Sequence, residues 1–362
     1  MTPPASPASS TSPTSPASSA GSGSRLAAGQ SAAAVGAAAG AGQPGGGDPL
    51  AAQRTERALR CATTAARRLG LRPGEPRVLH DIFNVLVHLH PEPVVVRVPS
   101  LTLLPPEEQA AQQRRELAVT GWLADTGAPV VRPSPLVPRE PVACEDASLT
   151  FWEFVVETDR LSLADIAAAD PQRLADRFTE QNGWAAELHR LLAGFPGAAD
   201  LPVLTPLVPG IGRLLDRLKR DPVLLTTADL DRAEREYAGL EALVAAPAAY
   251  FPGVRLQALH GDSPGYNVLR TANGHLFSDF EDTALGPVEW DLTMLDDAAL
   301  ESYENAAGVR LDRALLDVLD GARMLQAVSS LAVTSRMPQL RDMLAPAVEQ
   351  WRARPPLALP GT

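Results

Sequence analysis

Three polar side chains in one short stretch carry most of the chemical information in this chain. The stretch from Leu259 to Leu292 reads LHGDSPGYNVLRTANGHLFSDFEDTALGPVEWDL. Asp262 follows His260-Gly261, Asn267 comes five residues later, and Asp279 closes a segment that reads as a strand over His275–Phe280. Ala272-Asn273-Gly274 supplies a hairpin turn between that strand and a preceding one at Val268–Arg270. The turn brings Asp279 back to face Asn267, so one amide and two carboxylates converge at strand ends, where reactive groups are displayed on a rigid base. Asn267 and Asp279 are oxygen donors suited to a hard cation such as Mg2+, which keeps several waters and needs few protein ligands. Asp262 is then placed to orient a hydroxyl and accept its proton. This division of labour is the phosphoryl-transfer template, in which an Asp, an Asn and a second Asp align an acceptor with metal-bound phosphates.

The elements that must position these groups are legible in outline. Ala51–Leu69 is free of Gly and Pro and rich in helix formers, and Gly70 follows as a C-terminal cap. Val78–Leu89 and Pro93–Val98, rich in Val, Ile and Leu, read as two strands separated by His90-Pro91-Glu92. Pro105-Pro106 opens a helix over Glu107–Thr126, with acidic Glu107 and Glu108 at its positive end. Val130-Val131 and Leu149–Val156 read as further strands. Beyond Glu157 the pattern turns helical: Leu161–Ala169, Pro171–Leu192, Ile211–Arg220 and Ala228–Ala245, then a β patch beginning at Val254–Leu259, then helices to the end. The expected fold class is α+β, with a small sheet-rich lobe over residues 51–156 and a larger helical lobe over 157–362. Residues 1–50 form a low-complexity tail. Of the first 48 residues, 41 are Ser, Ala, Thr, Gly or Pro, too little apolar side chain to offset the entropy of ordering.

Composition narrows the function classes. The net charge of -11 argues against nucleic acid as a partner, since such proteins carry basic patches. No apolar run is long enough to span a membrane, the N-terminus makes a poor signal peptide, and a cytoplasmic location is the default. Cys61 and Cys144 have neither disulfide-framework nor metal spacing and read as reduced thiols. His80, His88, His90 and His275 likewise lack metal-site spacing, and His189 reads as a helix-packing residue. Lys219 is the only lysine in the chain, against 31 arginines, so any chemistry that requires a lysine elsewhere is excluded.

The motif set resembles the aminoglycoside phosphotransferase-like small-molecule kinases, which share the protein-kinase fold and include choline, homoserine and macrolide kinases. The residues carrying the resemblance are His260-Gly261-Asp262-x-x-x-x-Asn267, then Asp279-Phe280-Glu281-Asp282, then Gly286-Pro287-x-x-x-Asp291-Leu292. It implies a bilobal protein-kinase-like fold, ATP or GTP as phosphoryl donor, Mg2+, and a small-molecule hydroxyl acceptor. It also implies Asp262 as catalytic base, Asn267 and Asp279 as metal ligands, and Asp291 in a mostly structural place. Weaker likeness extends back through the N-terminal lobe. There Arg97, in PVVVRVP, stands where protein kinases keep a phosphate-gripping lysine, and Glu116 is its expected helix partner. Trp152, Glu153 and Phe154 fall in the segment that joins the lobes beside the base. In place of a glycine-rich loop stands His80-Asp81-Ile82-Phe83-Asn84, where Asn84 either contacts the nucleotide or stabilises the turn.

Two further readings remain open at the level of sequence. The glycine-free loop and Arg97 are also what a catalytically weak nucleotide- or ligand-binding protein on this fold would show. A protein kinase is disfavoured by HGD in place of HRD and by the missing Ala-Pro-Glu segment. The stretch Val288–Glu304 holds Glu289, Asp291, Asp296, Asp297, Glu301 and Glu304 and no basic residue. It reads either as a negative face for a cationic acceptor or as a solvated acidic helix.

Overall fold

The computed structural model describes residues 49–81, 83–101, 103–160 and 169–361. The tail before Pro49 and the helix expected over Leu161–Ala169, apart from Ala169, lie outside these residues.

The N-terminal lobe is a five-stranded antiparallel sheet of order β1-β2-β3-β5-β4, built from β1 (Arg77–Asp81), β2 (Asn84–His88), β3 (Val94–Pro99), β4 (Val142–Cys144) and β5 (Ala147–Glu153). Helix α1 (Pro49–Arg68) covers its outer face with Ala58, Cys61, Ala62, Ala65 and Ala66. These small residues let the helix lie close on Val85, Val87, Val94, Val96 and Val98. Because side chains alternate across a strand, Leu86, Val95, Arg97 and Trp152 turn to the opposite, inner face. β3 is therefore covered on both sides and buried almost throughout, which is why it reads as an apolar run interrupted only by Arg97.

Helix α2 (Pro106–Asp125) begins on the proline step, carries Glu107 and Glu108 in its first turn, and packs beside the sheet. Gln109 and Gln113, one turn apart and both buried, lock it to β5: Ser148 N–H donates to Gln109 Oε1 (3.0 Å), and Gln113 Nε2 donates to Ser148 O (2.8 Å). After α2, Val130 makes an isolated bridge to Phe277 in the other lobe rather than joining a strand.

The C-terminal lobe holds α3 (Pro171–Leu192), α4 (Gly212–Leu218), α5 (Thr227–Ala245), α6 (Asp297–Ala307), α7 (Arg313–Ser329) and α8 (Leu340–Ala353). Its core gathers Leu215, Leu240, Trp290, Leu319, Leu344 and Trp351. Two short ladders interrupt the helices. β6 (Gln257–Leu259) pairs with β9 (Ala284–Gly286), and β7 (Val268–Thr271) pairs with β8 (Gly274–Phe277).

The structure has the α+β, two-lobed architecture expected, with local corrections. Val78–Leu89 is two strands rather than one, paired antiparallel and turning near Phe83 without a glycine or proline to mark the place. His80 and Asp81 end β1 and Asn84 begins β2, so the tight turn is shorter than the five residues assigned to it. β8 stops at Phe277, and Asp279 lies beyond it at φ +64°, a left-handed backbone that cannot continue a strand. β4 and β9 were not expected; at three residues each they are too short for a period-two pattern to register. Among the described residues no helix is long and apolar enough to cross a membrane.

Candidate active site

β6 delivers the chain into His260-Gly261-Asp262, and a buried carboxylate shapes that loop. Asp291 accepts the backbone N–H of His260 (2.9 Å) and of Gly261 (2.8 Å). His189 Nε2 lies 2.9 Å from the same carboxylate and His189 Nδ1 lies 2.8 Å from the Tyr303 hydroxyl. A carboxylate only accepts, so Nε2 carries the hydrogen and Nδ1 receives that of the hydroxyl. Burial alone would raise Asp291; the hydrogen bond from His189, with the Gly261 N–H, holds it below its ordinary value. Asp291 thus takes the structural place expected of it. Gly261 sits at φ +95°, and a Cβ there would meet Asp282 O at 1.9 Å, so only glycine fits.

His260 links this loop to the next. Its Nε2 donates to Ser278 O (2.8 Å) and its Nδ1 accepts the Asp262 N–H (3.3 Å). Burial lowers its pKa, so the ring is neutral and acts as a brace. Asn267 Nδ2 donates to Asp262 O (2.6 Å), which turns Oδ1 the other way, toward the cleft. Asn267 O in turn accepts Ser278 N–H (2.9 Å) and Oγ (3.2 Å). The hairpin therefore does what its sequence implied: it sets Asn267 against the segment that carries Asp279.

Arg97 reaches the site from the inner face of β3. Its Nη2 donates to Glu116 Oε2 on α2, its Nη1 donates to Asp279 Oδ1 at 2.9 Å, and Glu281 Oε2 lies 3.7 Å from Nη1. Burial would weaken the guanidinium's hold on its proton, but Glu116, Glu281 and Asp279 outweigh it and raise the pKa. Burial pushes Glu116 up against the pull of Arg97. It likewise pushes Asp279 up, with Arg97 opposing and the charge of Asp262 adding. Asn84 Nδ2 lies 3.3 Å from Glu281 Oε2, so it joins the β1–β2 turn to the loop that follows β8. Gln112 on α2 adds bonds to Glu281 O (3.0 Å) and Asp282 Oδ1 (3.3 Å).

A cleft of about 450 Å³ runs between the lobes. Asn84, Arg97, Glu116, Asn267 and Asp279 line one end, and Trp152, Glu153 and Phe154 line it where the chain passes between lobes. Leu79, Leu86, Val95, Val268 and Phe280 give it apolar walls. The Glu153 and Phe154 N–H groups are engaged with Arg132 O (2.9 Å) and Pro93 O (3.0 Å). Among the described residues the Val155 N–H has no protein partner. Asp262 stands just outside the cleft, its side chain 36 % exposed.

All the residues picked from the sequence thus border one cleft or its mouth. The acidic stretch Val288–Glu304 is a different matter. Glu289 accepts the Asp312 N–H (3.0 Å), Asp291 holds the His260–Asp262 loop, Asp296 caps α6 through Ala299 N–H (2.8 Å), and Glu304 pairs with Arg310 (2.9 Å) and Arg313 (3.2 Å). Four of its six carboxylates hold secondary structure rather than forming an open face.

Neither Gln112 nor Arg323 was read from the sequence. Arg323 of α7 lies 3.4 Å from Asp262 Oδ1 through Nη1 and stacks 3.7 Å over the Trp290 ring. The available signal was a charge on the apolar stripe formed by Leu316, Leu319 and Ala327, a position where an unpaired arginine would be costly.

Solved structures share this architecture. The GDP complex of wild-type aminoglycoside 2'-phosphotransferase-IIIa superposes with a TM-score of 0.53 at 18 % identity, covering 81 % of this chain and 97 % of that one. The gentamicin complex of APH(2")-IIa gives 0.51 at 16 % identity, covering 81 % and 96 %. Choline kinase LicA from Streptococcus pneumoniae gives 0.52 at 11 % identity, covering 82 % and 100 %. No curated protein matches the chain in sequence. The profile of the phosphotransferase enzyme family matches residues 49–325, most of the described structure, and the chain belongs to that family.

Proposed function

We propose that this chain is a small-molecule kinase that transfers the γ-phosphate of ATP or GTP to a hydroxyl of a small acceptor. The observation that carries the reading is the convergence of Asp262, Asn267 and Asp279 at the end of the cleft that also holds the Arg97–Glu116 pair. The two lobes, 51–156 and 157–362, would close on the nucleotide from either side. The relatives solved with GDP and with gentamicin support nucleotide and amino-sugar chemistry as the first classes to test.

The donor set fits Mg2+. Asn267 keeps Oδ1 free because its amide nitrogen is engaged, and Asp279 keeps one oxygen beyond the one Arg97 holds. Among the described residues no cluster of three or more His, Cys, Asp or Glu is arranged for a cation. Kinase Mg2+ sites are completed by the substrate phosphates, so two protein donors suffice. Bound there, Mg2+ would neutralise charge across the β- and γ-phosphates.

The chain's own residues account for the rest. Val155 offers the first free backbone N–H past β5 to the base. Arg97 receives the phosphates, held in place by Glu116 and able to bind them through two N–H groups. Asp262 aligns the acceptor hydroxyl and takes its proton. The acceptor oxygen bonds to the γ-phosphorus, the bond to the bridging oxygen breaks, and the nucleoside diphosphate leaves with that electron pair. Catalysis is positioning and charge stabilisation.

The test is ADP or GDP release across aminoglycosides, macrolides, choline and homoserine. D279A should turn over on the order of 10²- to 10³-fold more slowly, the size of a lost electrostatic contact. A D279A protein as fast as the parent would refute the assignment. A second reading, a nucleotide-binding protein with little turnover, is favoured by one feature: Arg97 is already held by carboxylates of both lobes. A Mg2+-dependent thermal shift with ATP and no diphosphate release with any acceptor would select it.

A further inference from the structure

Arg323 is a buried cation beside the loop that carries Asp262, and its surroundings are built in detail. Nε donates to Thr293 Oγ1 (3.1 Å), and Nη1 donates to Gln326 Oε1 (2.9 Å). Nη2 reaches Gly261 O (3.3 Å) and Trp290 O (3.4 Å). The guanidinium lies flat on Trp290, whose own Nε1–H donates to Gly261 O (2.9 Å). Thr293 is fixed too, because its hydroxyl donates to Trp290 O (2.9 Å). Every one of these contacts would hold the guanidinium where it is if Asp262 were absent. The remaining contact, Nη1 to Asp262 Oδ1 at 3.4 Å, therefore sets the aspartate rather than the arginine. Asp262 is half-exposed and on a loop, so without such a partner its carboxylate would turn about its side-chain bonds.

We propose that Arg323 is a positioning residue for phosphoryl transfer: it holds Oδ1 of Asp262 and the Gly261 carbonyl of the same loop, leaving the second Asp262 oxygen turned out to receive the acceptor hydroxyl. The inference rests on the reading of Asp262 as the residue that takes the acceptor's proton. Arg323 touches neither nucleotide nor acceptor; it acts through Asp262. The planar fork is what the place requires, because one cation must serve three side chains, two backbone carbonyls and a ring face at once. A lysine offers a point charge and cannot meet that set.

The experiment is a double-mutant cycle in the full-length chain with D262N, R323M, R323K and the milder Q326L, which removes one tether of the guanidinium. Nucleoside diphosphate release is measured with water, kanamycin and choline as acceptors, alongside thermal and urea unfolding. Expected are a drop in kcat of about 10- to 100-fold for R323M, the scale of a misplaced reacting group, and a nucleotide KM within about twofold of the parent. R323K should recover little of the loss, and Q326L should show a smaller drop in kcat alone. On the D262N background R323M should add no further loss. Full kcat in D262N would sink the reading of Asp262. An impaired D262N in which R323M still multiplies the loss, or an R323M that raises KM and spares kcat, overturns the role of Arg323 alone. Should the parent release no diphosphate with any acceptor, the kinase reading falls and the unfolding cycle decides the contact. Non-additive D262N and R323M values uphold it, and additive values refute it.

Discussion

Arg97 shows how one residue can stand in for another at a different geometry. A lysine at this place would offer one ammonium to whichever partner lies nearest; the guanidinium touches Glu116 and Asp279 through separate nitrogens. In the proposed kinase reading, binding of phosphates draws on the same N–H groups. R97A should therefore weaken ATP affinity by an order of magnitude or more in a calorimetric titration, whereas K219A should leave it unchanged. His80, in the cleft wall, supplies a pH signature. Burial, with Arg160 adding and Asp81 opposing, lowers it from 6.5 to about 4. The unfolded chain therefore binds the proton more readily between these values. Stability that is complete above pH 6.5 is lost as pH falls toward 4, by about 3 kcal/mol from this residue. H80L should flatten that limb of the melting temperature against pH curve; an unchanged slope would contradict the assignment. At this scale Asp262, Asn267, Asp279, Arg97 and Glu116 were legible because each sits at a set spacing within its own motif. Arg323 was not, because it meets Asp262 from 61 positions away and belongs to no local pattern.

Among the elements, those with chemical punctuation were the ones the sequence announced. Prolines open α2 and α3, and Asp170 caps α3 by accepting from Gln172 N–H (2.8 Å) and Arg173 N–H (3.2 Å). The β1–β2 turn has no such mark and was fused into one strand. Asp312 caps α7, the helix that carries Arg323, by accepting from Ala314 N–H (3.0 Å) and Leu315 N–H (3.1 Å). D312A should lower the unfolding free energy by about 1 kcal/mol in urea titration. The His260–Asp262 loop is far less forgiving. G261A places a methyl group against the Asp282 carbonyl, so it should abolish turnover while the far-ultraviolet circular dichroism stays close to the parent's.

Across the whole molecule, side chains of one lobe grip the loop of the other. Arg97, Asn84 and Gln112 all reach the segment Asp279–Asp282, and Arg213 of α4 pairs with Glu108 of α2 at 2.7 Å. The sequence forecast two lobes from a change of period; it did not show these clasps, which depend on how the lobes lie against each other. The first helix belongs to the folded unit, because its alanine face shields the outer valines of the sheet. Deleting residues 1–48 should leave the melting temperature within a few degrees of the parent's. Deleting through Gly70 exposes that valine face and should yield aggregated protein in size-exclusion chromatography.

The scarcity of lysine has a practical side. Lys219, the sole ε-amine of the chain, stands at the end of α4, its side chain 46 % exposed and paired with Asp216 and Glu234, apart from the interlobe cleft. Acylating nucleotide reagents that capture kinases through an amine near the phosphates will find no nucleophile there. Among the side chains, an activated ester has a single amine target. A fluorophore placed on it would mark one defined place on the helical lobe without blocking the cleft.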